Sequence, residues 1–266
     1  MNVSNIKFCI GIAAGKGGVG KSTLTVLLAH ALKKRGSSVG ILDADVYGPS
    51  IPYMLGTEEL PKERKGYVLP AQGNGIPYFS FTFVKEGPAA VRAPIANRVI
   101  EQCATDIDWG ELDFLLVDFP PGTGDVQLTA LQTLGLSGML YVATSQEIAL
   151  LDVDKAYQMG KSMDIPTVGF IENMSPLVGT NVAPFGSGKV EKYAALHKER
   201  FLGRIPLDPL VSEALDKGVN PLLSCSDEAR TAMDSVVESF VSVVDRVEEP
   251  FECSLTWELM DAAKID

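Results

Sequence analysis

The run Gly15-Lys16-Gly17-Gly18-Val19-Gly20-Lys21-Ser22-Thr23 constrains the fold more than any other stretch of this chain. It follows an apolar, β-prone segment at 6–14. It precedes Leu24, Leu27, Leu28, Ala31 and Leu32, which recur at helical spacing until Gly36. A strand, a glycine turn and a helix in that order point backbone N–H groups at the space before the helix, where a phosphate is held. Two templates fit the glycines: the dinucleotide GxGxxG and the phosphate loop GxxxxGK[ST]. Under the first, Asp43 after a short strand at 38–42 would serve a ribose. Lys21 and Ser22 favour the second, because a lysine there reaches the β- and γ-phosphates and the hydroxyl ligates Mg²⁺. The apolar run Leu115-Leu116-Val117 ending in Asp118 supplies a carboxylate for the metal's water shell. Lys16 is a second cation within the loop. It is either a solvated side chain or a group aimed at phosphate, including that of a partner subunit.

The strand-helix alternation returns down the chain. Strands are expected at 114–117, 139–144, 167–171 and 202–205, with helices at 126–134, 147–163, 190–197, 210–217 and 227–247. Short apolar strands between helices predict an α/β fold, a doubly wound and mostly parallel sheet with helices on both faces. One domain over 1–250 is expected, with an irregular insert at about 48–91, a hairpin at Asn74-Gly75, and a short acidic tail at 251–266. Charge narrows the partners: Lys+Arg 23 against Asp+Glu 34 leaves −11, which argues against a broad surface for nucleic acid or anionic membrane. No apolar run approaches the roughly 20 residues of a spanning helix. Residues 1–7 lack an export pattern, and the four cysteines form no CxxC pair, so a cytoplasmic protein is expected.

With the loop written KGGVGKS, the sequence resembles the deviant phosphate-loop ATPases. Asp43-Ala44-Asp45-Val46-Tyr47-Gly48-Pro49-Ser50, Asp118-Phe119-Pro120-Pro121-Gly122-Thr123-Gly124-Asp125, Glu172-Asn173-Met174-Ser175 and Gly203-Arg204-Ile205-Pro206-Leu207-Asp208 are similar to the motifs of one branch, in that branch's order. It is the Mrp type of ATP-binding iron–sulfur cluster carrier. The resemblance implies a slow, switch-like ATP hydrolase that binds ATP and Mg²⁺, works as a homodimer and delivers clusters to apoproteins. It implies roles for Lys16 and Asp45 in hydrolysis, Asp45 orienting the attacking water. Gly15 to Thr23 would hold the phosphates, and Gly122 would sense the γ-phosphate. Ser22, Asp43 and Asp118 would hold Mg²⁺, and Asn173 would meet the adenine edge. Plainer roles stand beside these: Asp43 as a turn acid, Asp125 as a helix N-cap, and Asn173 as the cap of the loop after its strand.

The pattern fails at one place. Carriers of this type bear a CxxC pair after the ENMS motif, and two subunits together ligate one cluster. Here 176–186 contains no cysteine. Cys9 on the first strand and Cys103 on a helix near Ile95, Val99 and Ile100 read as core thiols, which leaves Cys225 and Cys253 as the freer candidates. A rival reading is a nucleotide-switched positioning ATPase without a cluster, like the partition and division-site proteins.

Overall fold

The computed structural model describes residues 5–46, 48–64, 66–83, 100 and 106–246. Cys103, Cys253, residues 84–91 of the insert and the tail at 251–266 lie outside them. The chain begins with β1 (Asn5–Ala13), α1 (Lys21–Lys34) and β2 (Val39–Asp43). The stretch expected to be irregular holds α2 (Ile51–Leu55) and the short strands β3 (Thr57–Glu59), β4 (Lys62–Arg64), β5 (Tyr67–Leu69), β6 (Ala71–Gly73) and β7 (Ile76–Ser80). Then follow β8 (Glu111–Asp118), α3 (Asp125–Thr133), β9 (Gly138–Ala143), α4 (Glu147–Ser162), β10 (Thr167–Leu177), α5 (Lys189–Leu196), β11 (Phe201–Leu207), α6 (Pro209–Asp216), α7 (Pro221–Ser224) and α8 (Asp227–Val244).

From Phe8 onward β1 is buried on both faces, which suits the centre of a helix-covered sheet. The strand order is β11-β10-β9-β1-β8-β2-β7-β6-β3. Pairing is parallel from β11 to β7, and β6 and β3 add an antiparallel edge. Successive β1 side chains serve two cores. Phe8, Ile10 and Ile12 join Leu28, Phe114 and Phe240, while Cys9 and Ala13 join Val117, Met139, Tyr141 and Phe170. At Gly11 a Cβ would stand 2.4 Å from Met139 Sδ, so glycine admits the second core to the strand. The doubly wound, mostly parallel sheet expected from the alternation is therefore present.

Two local differences have physical causes. Four of the five insert strands are only three residues long, and β3 and β4 are almost wholly charged, which hides any period, although the Asn74-Gly75 hairpin signal holds. Both turn residues sit at positive φ, 51° and 67°, as a two-residue hairpin turn requires. β10 runs on to Leu177 instead of stopping near 171, so Asn173 lies within the strand. The polar residues Glu172, Asn173 and Ser175 mask its continuation. Asp125 is not the N-cap of α3: Gly124 holds that position, and Asp125 begins the helix.

Candidate functional site

The carboxyl ends of the parallel strands converge on the glycine turn, as expected for a site in an open α/β sheet. Gly18 and Gly20 adopt φ of 81°, a left-handed conformation that side chains resist. A Cβ on Gly15 would stand 1.9 Å from the Asp152 carbonyl carbon, and one on Gly20 would stand 2.3 Å from Asn173 Nδ2. The loop is thus clamped between α4 and β10. α1 opens at Lys21 with no side chain capping its first turn, which leaves its N–H groups directed into the turn's concavity.

Asp118 is the centre of the arrangement. Its carboxylate is fully buried and meets Lys21 Nζ at 2.8 Å. It also accepts hydrogen bonds from Ser22 Oγ at 2.6 Å and Thr25 Oγ1 at 2.8 Å. Asp43 faces Asp118 across the β2–β8 pairing and accepts from Ser80 Oγ at 2.9 Å and from the Asp45 N–H at 3.2 Å. Burial, and then the neighbouring Asp118 charge, push the Asp43 carboxyl up to about 8, partly offset by Ser80 and Lys21. Asp45 lies 3.9 Å from Lys21 Nζ and accepts from the Gly48 N–H at 3.2 Å. Two carboxylates beside a serine hydroxyl form a hard, all-oxygen donor set suited to a hydrated Mg²⁺. Because Asp43 binds its proton tightly, a cation placed there would displace it.

The predicted residues Gly15, Gly17, Gly18, Val19 and Gly20 form the glycine turn and Lys21, Ser22 and Thr23 begin α1, while Lys21 and Ser22 join this stretch to Asp45 and to Asp118, which pairs with Asp43 at the neighbouring strand end. Lys16 Nζ donates to Gln146 Oε1 at 3.3 Å, on the rim. Gly122 lies in the turn after β8, its N–H on the Ala14 carbonyl at 3.3 Å with φ of 90°. Asn173 Nδ2 donates to the Val19 carbonyl at 2.8 Å, which joins β10 to the loop. Sequence reasoning missed Thr25 and Ser80. Thr25 stands one helical turn beyond Ser22 among buried residues, and that spacing could have exposed it. Cys225, expected to be one of the freer ligand candidates, is an unbridged thiol buried in the core with Leu222 and Ala229.

Among the described residues no three His, Cys, Asp or Glu side chains gather in an arrangement that could hold a metal ion without help from other groups. No described helix is long and apolar enough to cross a membrane.

The family model described as ParA, NUBPL iron-transfer P-loop NTPase matches residues 5–242. The iron–sulfur cluster carrier protein of Methanocaldococcus jannaschii is 43% identical over 258 residues, covering 93% of this chain and 89% of that protein. A nucleotide-binding protein from Archaeoglobus fulgidus, solved in complex with ADP, superposes with a TM-score of 0.71 at 37% identity, covering 81% of this chain and 88% of that one. The cell division ATPase MinD of Pyrococcus furiosus shares the fold at a TM-score of 0.67 and 21% identity, over 89% of this chain and 99% of its own.

Proposed function

The chain belongs to the family of NUBPL iron-transfer P-loop NTPases, and from that premise we propose that it is an Mg-ATP-dependent ATPase acting in the transfer of iron–sulfur clusters to apoproteins. The reading is supported above all by the single Asp118 carboxylate that gathers Lys21, Ser22 and Thr25 at the mouth of the glycine turn. In this reading Lys21 and the N–H groups from Gly15 to Thr23 bind the phosphates. Ser22, Asp43 and Asp118 would hold Mg²⁺ directly or through water, and the bound ion would supply positive charge to offset that of the phosphates. Asp45 orients the attacking water, Gly122 senses the γ-phosphate, and Asn173 exchanges its bond to the loop for the adenine edge. Lys16 acts across a homodimer, so hydrolysis is slow and linked to association.

The cluster is cargo, and its ligands are the open half of the reading. The segment 176–186 carries no thiolate, so a partner protein supplies most of the sulfur ligands when a cluster passes. Calorimetric titration with ATP, with and without Mg²⁺, tests the nucleotide half. Anaerobic reconstitution with iron and sulfide, followed by iron counting, tests the cargo half. We expect tight Mg-dependent ATP binding and little iron retained by the protein alone. Absence of ATP binding would defeat the proposal outright, and a stable four-iron cluster per dimer would defeat its account of the ligands.

A further inference from the structure

Glu172 is fully buried one residue before Asn173, and neighbouring residues of a strand face opposite sides of the sheet. Asn173 reaches the phosphate loop. Glu172 reaches the far side, where its carboxylate accepts from the N–H groups of Gly188 at 2.9 Å and Val190 at 3.3 Å, and from Arg204 Nε at 3.0 Å. Ser187 Oγ lies 3.3 Å away, and Ser145 donates a short hydrogen bond to the same carboxylate. Gly188 is the N-cap position of α5 and has no side chain with which to cap it. Glu172 fills that role from another strand, its charge favoured by the positive end of the helix.

The segment so pinned is 178–188, which overlaps the 176–186 stretch where the resemblance places the thiols of related carriers. Ser175 Oγ pins it again by donating to the Gly186 carbonyl at 2.9 Å. Between these anchors Met174 takes φ of 59°, a left-handed conformation that a non-glycine residue holds only when its neighbours fix it. A stretch of four residues, Glu172 to Ser175, therefore touches the glycine loop at one point and fixes the 178–188 segment at several.

We infer that Glu172 is a positioning residue that sets Asn173 for recognition of the base and ties the placement of the 178–188 segment to nucleotide occupancy. The inference rests on the reading of Asn173 as the adenine contact. Burial pushes the Glu172 carboxyl up, but the donors from Ser145, Gly188, Val190 and Ser175 outweigh it and hold the group below its usual range. It is therefore charged at neutral pH, and removing the charge weakens every bond it accepts.

The test compares wild type with Glu172→Gln by titration with ATP, GTP and inorganic pyrophosphate, and by amide exchange at 186–190 with and without Mg-ATP. The expected result is ATP affinity lowered about tenfold, the loss of roughly one neutral hydrogen bond between Asn173 and the base. The preference for ATP over GTP should shrink equally, with pyrophosphate affinity unchanged. Exchange at Gly188 and Val190 should slow on adding Mg-ATP to wild type and should not respond in the variant. If Glu172→Gln does not fold, Ser145→Ala and Arg204→Gln each remove one donor and should shift the same ratio by a smaller factor. An unchanged ATP-to-GTP ratio together with a wild-type exchange response overturns the inference. A wild-type protein that bound neither ATP nor pyrophosphate would instead remove the nucleotide reading beneath it.

Discussion

The phosphate-loop rim and the segment after β10 both bond to β10, through Asn173 and Ser175, but answer to different chemistry. At the rim, Lys21 and Asp118 are 7% and 0% exposed, and both have partners placed by separate strands and helices. At 178–188 most residues are exposed or half-buried, the backbone turns on Gly179 and Gly186, and no sulfur is present. Charges buried without partners would cost several kcal/mol each, so the rim holds together only as a complete set. The segment is under no such constraint and can lose its thiols without unfolding the sheet. The nucleotide half of the proposed activity is therefore written into this chain alone, and the cargo half is shared with whatever meets it.

The strongest way to break that contrast is Lys21→Ala. If Lys21 is the proposed phosphate cation, its charge-assisted bonding to phosphate vanishes with it, so ATP affinity should fall at least about a hundredfold, read by calorimetry. Asp118 keeps Ser22 and Thr25 as donors but loses its cation, and the melting temperature should drop as well. A variant binding ATP like wild type would mean that the rim's charges serve the fold alone.

Asp45→Asn should separate chemistry from binding. A group that positions the attacking water contributes to the chemical step, so single-turnover hydrolysis should slow by about a hundredfold while ATP affinity holds. Hydrolysis at the wild-type rate would place the water elsewhere.

A smaller effect follows from Asp43. With its carboxyl pushed up to about 8, it is mostly protonated at pH 7, and Mg²⁺ favours the ionised form. Mg-ATP affinity should therefore rise with pH from about 6 to 8, by up to roughly tenfold per unit, with close to one proton released on binding. Titrations in two buffers of different ionisation enthalpy measure that proton. No release, or the same release from Asp43→Asn, would show that Asp43 stays out of the metal site.

The rim was the more legible of the two regions. Gly15 to Thr23, Asp43, Asp45 and Asp118 are local in sequence or end apolar strands, and local order placed all of them in one turn or at neighbouring strand ends. Ser80 and Glu172 were not legible because they act through partners 37 and up to 32 residues away, and a hydroxyl or a carboxylate carries no period that reveals such a partner, whereas Thr25 could be read from its place one helical turn beyond Ser22. The insert was obscured by its three-residue strands. Cys225 misled because spacing records neighbours along the chain, whereas its burial comes from the core cluster it joins with Leu222, Ala229 and Met233.

Cys225 also supplies the mildest test, in which no change is expected. Its thiol is 5% exposed in the core, and its Sγ lies 3.8 Å from the Leu222 carbonyl. Arg230 holds the Leu222 and Cys225 carbonyls at 3.1 and 2.9 Å, fixing the turn between α7 and α8. Burial pushes the thiol's pKa up, ahead of an opposing effect from Arg230, so the thiolate that iron requires is disfavoured there. Reaching a cluster on a dimer axis would mean prising α7 away from the core. Cys225→Ala should therefore leave iron content after reconstitution, and iron transfer to an apoprotein, at the wild-type level. A fall to half the wild-type iron with an unchanged melting temperature would mean that the α7–α8 turn opens in solution, and the contrast between a self-sufficient nucleotide rim and a borrowed set of cluster ligands would no longer hold.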